Sequence, residues 1–445
     1  MHKSLSPTLA YAAALALFMA GGPAVSGQTT APPPKVTVLK AARIFDGTSD
    51  RVIKNGMVIV EGSTIKAVGT GLSVPAGAEV IDFGDSTILP GLIDSHTHVS
   101  GESGDNWAAD ALANLRRTVP EQAIRATANV RKTLMAGFTT VRDVGSGEYV
   151  DVGLRNSIAA GTIPGPRMLV AVHALGARGG HCDESGFPYM RFGHESGIED
   201  GIAAGADPFR DAVRFQVKYG ADVIKVCATG GVLSLADEVD TPQITQDEMN
   251  AIVDEAHRLR KRVAVHAHGA EGAKVAIRAD ADSIEHGSFL DDETLRMMVN
   301  RGTYLVPTLL AGEYVAGKAA ERHYPPEIEA KAKAAVAVRS KMFKRALALG
   351  VKIAFGTDSA VSPHGLNAKE FKLMVDHGMT PAAALRAATQ SAADLLGLAK
   401  TIGTLEAGKQ ADVIAVSGDP LADIQAMETV RFVMKGGAVA KNEQP

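Results

Sequence analysis

A chain of 445 residues, 46% hydrophobic and 22% charged, can bury a large core, as one large domain or two to three smaller ones. Its net charge of -4 comes without a basic stripe, which argues against nucleic acid as a partner. Two cysteines, Cys182 and Cys227, can pair in an oxidising compartment but make neither a disulfide scaffold nor a thiolate zinc site; two small buried fillers are the simpler expectation.

The N-terminus reads as an address. His2 and Lys3 precede an apolar run from Leu9 to Ala20, helix-breaking Gly21-Gly22-Pro23 follows, and Ala24-Val25-Ser26 puts small residues at both recognition positions of a cleavage site. A signal peptide over 1–26 is expected, then a linker over 27–35 that contains Pro32-Pro33-Pro34. The apolar run is short for a span of ~20 residues. The expectation is an exported protein, periplasmic or secreted, with no membrane association once the signal is removed.

Residues 36–88 then read as short strands punctuated by glycine, such as Val36–Leu39, Gly56–Val60 and Thr64–Gly69. The tail, 403–445, has the same character in Asp412–Val416 and Val430–Met434. Either piece alone is too thin to bury anything. One small β-sandwich built from both chain ends is expected, which requires the chain to leave it and return.

Between them, over 89–402, apolar strand candidates alternate with helical patterns. The candidates end at His98, Asp143, His173, Lys225, His266, His286, Val306 and Asp358; the helical stretches include 121–135, 246–260, 291–300 and 327–349, and Pro208 and Pro381 stand where helices can begin. This alternation predicts an α/β fold, a (β/α)8 TIM barrel with catalytic groups at the C-terminal strand ends. A doubly wound open sheet is the structural alternative, but no glycine fingerprint follows its first strand.

Several of those strand ends carry residues that bind metals. His96 and His98 are two apart on a strand, so both rings face one way and can share an ion. Lys225, His266, His286 and Asp358 end later strands. Taken singly, each has a structural explanation: a paired cation, a satisfied histidine, a turn aspartate. Six such residues at one end of one barrel are hard to attribute to chance. His268 faces the same way as His266, so either can be the ligand; the apolar run stops at His266, which leaves His268 for a substrate contact.

The stretch Leu89-Pro90-Gly91-Leu92-Ile93-Asp94, followed by His96-Thr97-His98, resembles the metal-dependent amidohydrolase superfamily, as do Lys225 in Val223–Val226, His266, His286, and Asp358 after Gly356-Thr357. The likeness covers nearly all of the chain after the signal and includes Gly403–Asp412. It implies a binuclear centre of two divalent ions, with zinc as the expected metal. In that pattern His96, His98 and Asp358 hold one ion, His266 and His286 hold the other, and N6-carboxylated Lys225 bridges them, an anionic carbamate replacing an ammonium that would repel both. A hydroxide shared by the ions would attack an amide carbonyl, with Asp358 as proton shuttle to the leaving amine.

The loop Arg178–Asp183 puts His181 over the expected mouth, where it would donate to the carbonyl oxygen or to a substrate carboxylate. Such loops resemble the Xaa-Pro dipeptidase-like branch, which cleaves dipeptides and N-acyl amino acids and includes ochratoxin A-hydrolysing members that release phenylalanine. The likeness therefore implies a small-molecule amide or dipeptide substrate and a homo-oligomer, octameric in relatives. Arg142-Asp143 reads as a structural ion pair, and Thr229–Ser234 as a backbone-defined loop rather than a phosphate cradle. Two other functions compete: a one-metal deaminase or cyclic-amide hydrolase resembling imidazolonepropionase, which Lys225 argues against, and a non-catalytic scaffold barrel, which should lack ligands.

Overall fold

The computed structural model describes residues 34–183, 195–235 and 237–443. The expected signal peptide and the linker as far as Pro33 lie outside the described residues. The rest is a mixed α/β structure. β1 (Val36–Phe45) and β2 (Val52–Glu61) pair antiparallel, β3 (Thr64–Gly69) adds to β2, and β4 (Glu79–Asp82) and β5 (Ser86–Pro90) run parallel to β1.

The chain then enters a series of parallel strands. β6 (Leu92–Thr97), β7 (Phe138–Asp143) and β8 (Arg167–Val170) form one sheet. After a two-residue pair, β9 (Gly176–Ala177) with β10 (Ile202–Ala203), a second sheet follows in the order β11 (Val223–Cys227), β12 (Arg262–Gly269), β13 (Ser283–Phe289) and β14 (Tyr304–Val306). Every residue of β6, β7 and β11 is buried. Helices cover one face and side chains fill the other, which is why these strands read as unbroken apolar runs rather than alternating ones.

The two parallel sheets are joined by single bridges. Leu175 N–H donates to Lys225 O at 2.8 Å and Cys227 N–H to Leu175 O at 2.8 Å, pairing Leu175 with Val226. On the other side, Ile353 pairs with Leu305 and Ser359 with Thr97. The expected eighth strand, Lys352–Asp358, is thus not a regular strand. Phe355 N–H donates to Ala387 O at 3.0 Å instead of to a neighbouring strand, and Asp358 turns the chain with φ 56°. Gly356 permits the close passage, since a Cβ there would stand 2.9 Å from His96 Cβ.

The expected helices begin and end where their caps direct. Val119–Met135 starts at Thr118, whose hydroxyl accepts from Glu121 N–H; Gln246–Arg258 starts with a Thr245–Glu248 capping box; Asp292–Arg301 and Pro326–Leu349 stop at left-handed Gly302 and Gly350. No helix among the described residues is long and apolar enough to cross a membrane.

The tail returns as β15 (Val413–Ser417), antiparallel to β5, followed by β16 (Val430–Lys435) and β17 (Ala438–Asn442). Both chain ends therefore share one eight-stranded sheet, ordered β17-β16-β15-β5-β1-β2-β3 with β4 beside β1. Leu39, Val58, Ile65, Ile81, Val413 and Phe432, drawn from both ends, bury one core.

The cysteines correct an expectation: Cys182 and Cys227 are bonded, not separate fillers. The Leu175 bridge lays the loop after β9 along β11, which brings the two Cα atoms to 5.9 Å, inside disulfide range.

Candidate active site

His96, His98, Lys225, His266, His286 and Asp358 all line one cavity of about 330 Å³, together with His181 and His268. Of the first six, four come from the parallel strands β6, β11, β12 and β13, His98 follows the last residue of β6, and Asp358 lies on the segment after the Ile353 bridge. Four non-glycine residues lining that cavity have positive φ, His286 (69°), Thr308 (46°), Asp358 (56°) and Ala360 (122°). Strain of roughly 1–3 kcal/mol at each persists only where neighbours over-determine the backbone, as they do at functional sites. At His286 the effect is concrete: the turn swings its ring toward the cavity beside Glu285, its neighbour on the strand.

One carboxylate oxygen gathers the first group. Asp358 Oδ1 lies 3.5 Å from His96 Nε2 and 3.4 Å from His98 Nε2, and Asp358 N–H donates to His96 O at 2.8 Å. Ligand-type atoms of His96, His286 and Asp358 lie within 4.8 Å of one another, as do those of His266, His268 and His286.

The histidines have their other nitrogens tied. His96 Nδ1 is 2.7 Å from Glu285 Oε2 and His98 Nδ1 is 2.9 Å from Gly145 O; both partners only accept, so Nδ1 carries the proton and Nε2 keeps its lone pair. His266 is reversed: Nε2 donates to Gly230 O at 3.0 Å, leaving Nδ1 as the lone-pair nitrogen. His286 Nδ1 is engaged by Thr308 Oγ1 at 2.7 Å and His268 Nδ1 by Ser288 Oγ at 2.9 Å. Burial, with the nearby Lys225 cation, keeps these rings neutral: His98 is depressed to about 4, His268 to about 3, and His96, His266 and His286 are also held well below the usual imidazole range.

A metal fits this donor set. His96 Nε2 is fully buried and has no hydrogen-bond partner among the described residues. A neutral imidazole nitrogen left unpaired beside a carboxylate is costly unless an electrophile occupies the space. Burial lowers Lys225 to about 8, opposed by Glu285 and Asp358, and raises Asp358 to about 7, opposed by Lys225. Beneath them Asp94 accepts from Thr357 Oγ1 (2.6 Å), Asn367 Nδ2 (2.8 Å) and His96 N–H (3.1 Å), fixing the backbone of both ligand-bearing segments.

His181 lies on the cavity wall with its ring centroid 4.4 Å from that of His266. Its Nδ1 is 2.9 Å from Ser234 Oγ, and that hydroxyl gives its one proton to Asp237 Oδ1 at 2.5 Å. With the hydroxyl proton so placed, Nδ1 donates to Ser234 Oγ and Nε2 is the acceptor nitrogen of the neutral ring. Burial holds the ring neutral by lowering it to about 4. Arg178, on the same loop, is solvated near Glu195 and does not line the cavity.

The Arg142-Asp143 ion pair is not formed. Consecutive strand residues face opposite sides, so Arg142 Nη2 binds Glu285 Oε1 at 2.8 Å while Asp143 accepts from Val99 N–H at 2.6 Å. Sequence reasoning passed over Glu285, although the spacing of Ser283 and Glu285 on one strand face was a signal that both point inward. The Thr229–Ser234 loop is, as expected, no phosphate cradle: it turns carbonyls inward, Gly230 O to His266 and Gly231 O to Lys331 Nζ at 3.2 Å.

A family model described as "Amidohydrolase family" matches residues 87–440. An ochratoxinase from Aspergillus niger is 32% identical over 428 residues, covering 92% of this chain and 87% of that protein. The crystal structure of a Xaa-Pro dipeptidase with bound methionine in its active site superposes with a TM-score of 0.87 at 40% identity, covering 92% of this chain and 100% of that one. An imidazolonepropionase from Geobacillus kaustophilus is 26% identical over 435 residues, covering 88% of this chain and 91% of that protein.

Proposed function

The chain belongs to the amidohydrolase family and is a hydrolase of amide bonds, and from that premise we propose a binuclear metal-dependent enzyme that cleaves the C–N bond of dipeptides or N-acyl amino acids. His96, His98 and Asp358 would hold one divalent ion and His266 and His286 the other, with zinc the expected metal. Lys225 would join both after its amine adds carbon dioxide and releases a proton. When bound, the ions supply Lewis acidity that polarises a carbonyl and acidifies water.

The remaining work falls to side chains. Asp358 holds a proton on its carboxylate and passes it to the departing amine. Neutral His181 accepts an N–H of the substrate at Nε2, and His268, which lines the same cavity, contacts the substrate as well. The one observation that carries this proposal is the convergence of six ligand-type side chains, far apart in sequence, on one cavity of about 330 Å³. The similarity to an ochratoxinase extends the proposal to ochratoxin A, giving ochratoxin alpha and phenylalanine. The likeness to an imidazolonepropionase keeps a one-metal deaminase or cyclic-amide hydrolase as the second reading; buried Lys225 among the metal-type residues favours two ions.

For the scaffold, we propose that residues 89–402 close as a (β/α)8 barrel, supported by the Leu175–Val226, Leu305–Ile353 and Thr97–Ser359 bridges. The shared core of both chain ends supports a β-sandwich formed by 36–88 and 403–445. Export to the periplasm or beyond and assembly into a homo-oligomer complete the proposal. The test is zinc per chain, measured after reconstitution with and without bicarbonate, alongside a screen of dipeptides and N-acyl amino acids. One ion per chain, or indifference to bicarbonate, refutes the carbamate-bridged pair.

A further inference from the structure

Beneath the cavity lies a dry polar cluster that the proposed chemistry does not use. Glu285, Arg142, Ser283 and Ser95 are each at most 2% exposed. Glu285 Oε2 faces His96 Nδ1 at 2.7 Å, while Oε1 accepts from Arg142 Nη2 at 2.8 Å and from Ser283 Oγ. Arg142 completes its own set with Ser283 Oγ at 3.1 Å and Ser95 O at 2.5 Å. The cluster thus ties β6, β7 and β13, and β13 is not a neighbour of β6 in either sheet.

A buried carboxylate held by an arginine, an imidazole and a serine hydroxyl is poor value as stabilisation, because desolvating the ions offsets most of their attraction. Its geometry serves something else. A carboxylate only accepts, so His96 must carry its proton on Nδ1 and aim Nε2 at the cavity, where that atom has no hydrogen-bond partner among the described residues. Arg142 Nη2 occupies Glu285 Oε1 at 2.8 Å, which leaves Oε2 to face the imidazole.

We propose that Glu285 is a positioning residue for the metal centre, with Arg142 as its counter-ion: it fixes the tautomer and ring angle of His96 and raises the basicity of Nε2 toward a divalent ion. This rests on the metal-dependent reading above. Partners of this kind typically alter metal affinity about 10- to 100-fold.

The test uses the full chain, stripped with chelator and titrated with zinc against a chromogenic competitor, and in parallel the visible spectrum of the cobalt-substituted protein. Glu285→Gln should weaken zinc binding about 10- to 100-fold and shift the cobalt bands, which a purely structural role would leave in place. Should that variant fail to fold, Arg142→Met with Glu285→Gln removes both charges together and should show the same weakening. Wild-type zinc affinity and an unchanged cobalt spectrum in the folded variant overturn the inference alone. A wild-type chain that binds no zinc overturns the metal-dependent reading itself.

Discussion

Gly231→Ala tests the role of His181 without touching the ring itself. Gly231 has no left-handed backbone angle, so alanine is conformationally tolerated there and the effect is steric. The new Cβ would stand 2.0 Å from His181 Cε1, 2.3 Å from Nδ1 and 2.4 Å from Nε2. Carbon atoms settle at about 3.5–4.0 Å, so the ring must retreat by roughly 1.5 Å. It cannot do so freely: His266 lies against it at 4.4 Å between ring centroids, Ser234 holds Nδ1 at 2.9 Å, and the next residue is disulfide-bonded to Cys227. Misplacing a substrate-positioning group by ~1 Å costs about 100-fold in rate, or about 2.7 kcal/mol of transition-state stabilisation. The assay is kcat/KM on a cleaved dipeptide with bound zinc measured in the same samples. A fall of about 100-fold at unchanged zinc content is expected; kcat/KM within roughly threefold of wild type would show that His181 does not position substrate.

Asp358→Asn should keep bound metal yet lose ~10²- to 10⁴-fold in kcat, and near-normal turnover removes the proton-shuttle role. Lys225→Ala should drop zinc from about two ions per chain toward one, because the bridging ligand is gone; metal analysis giving two would refute the bridge. Cys182→Ser with Cys227→Ser opens a loop of 45 residues, for which loop-closure entropy predicts a loss of about 4 kcal/mol. A melting temperature equal to wild type would mean that the pair contributes nothing. Arg142→Met should destabilise the chain by ~3–5 kcal/mol, since it strands a buried carboxylate, and denaturant unfolding checks it against the smaller loss expected for the variant that also carries Glu285→Gln.

Much of this protein was legible in one dimension. Period located the parallel strands and the helices between them, because apolar strands covered on both faces leave unbroken hydrophobic runs while helices with one buried face repeat near 3.6 residues. The metal-type residues were visible for the same reason: His96 and His98 are two apart, and Lys225, His266 and His286 are polar residues standing within or at the end of apolar runs.

What required the tertiary structure were the relations between strands that are distant in sequence. Adjacency on a strand made Arg142 and Asp143 look like partners, but the fold sends Arg142 across to Glu285, 143 positions away. The Cys182–Cys227 bond depends on the Leu175 bridge, a single contact with no local signature. Which nitrogen of each imidazole faces the cavity is set by carbonyls, hydroxyls and carboxylates contributed from elsewhere. Local pattern determines which residues lie on a strand and which way they face; only closure of the chain on itself decides what each side chain meets there.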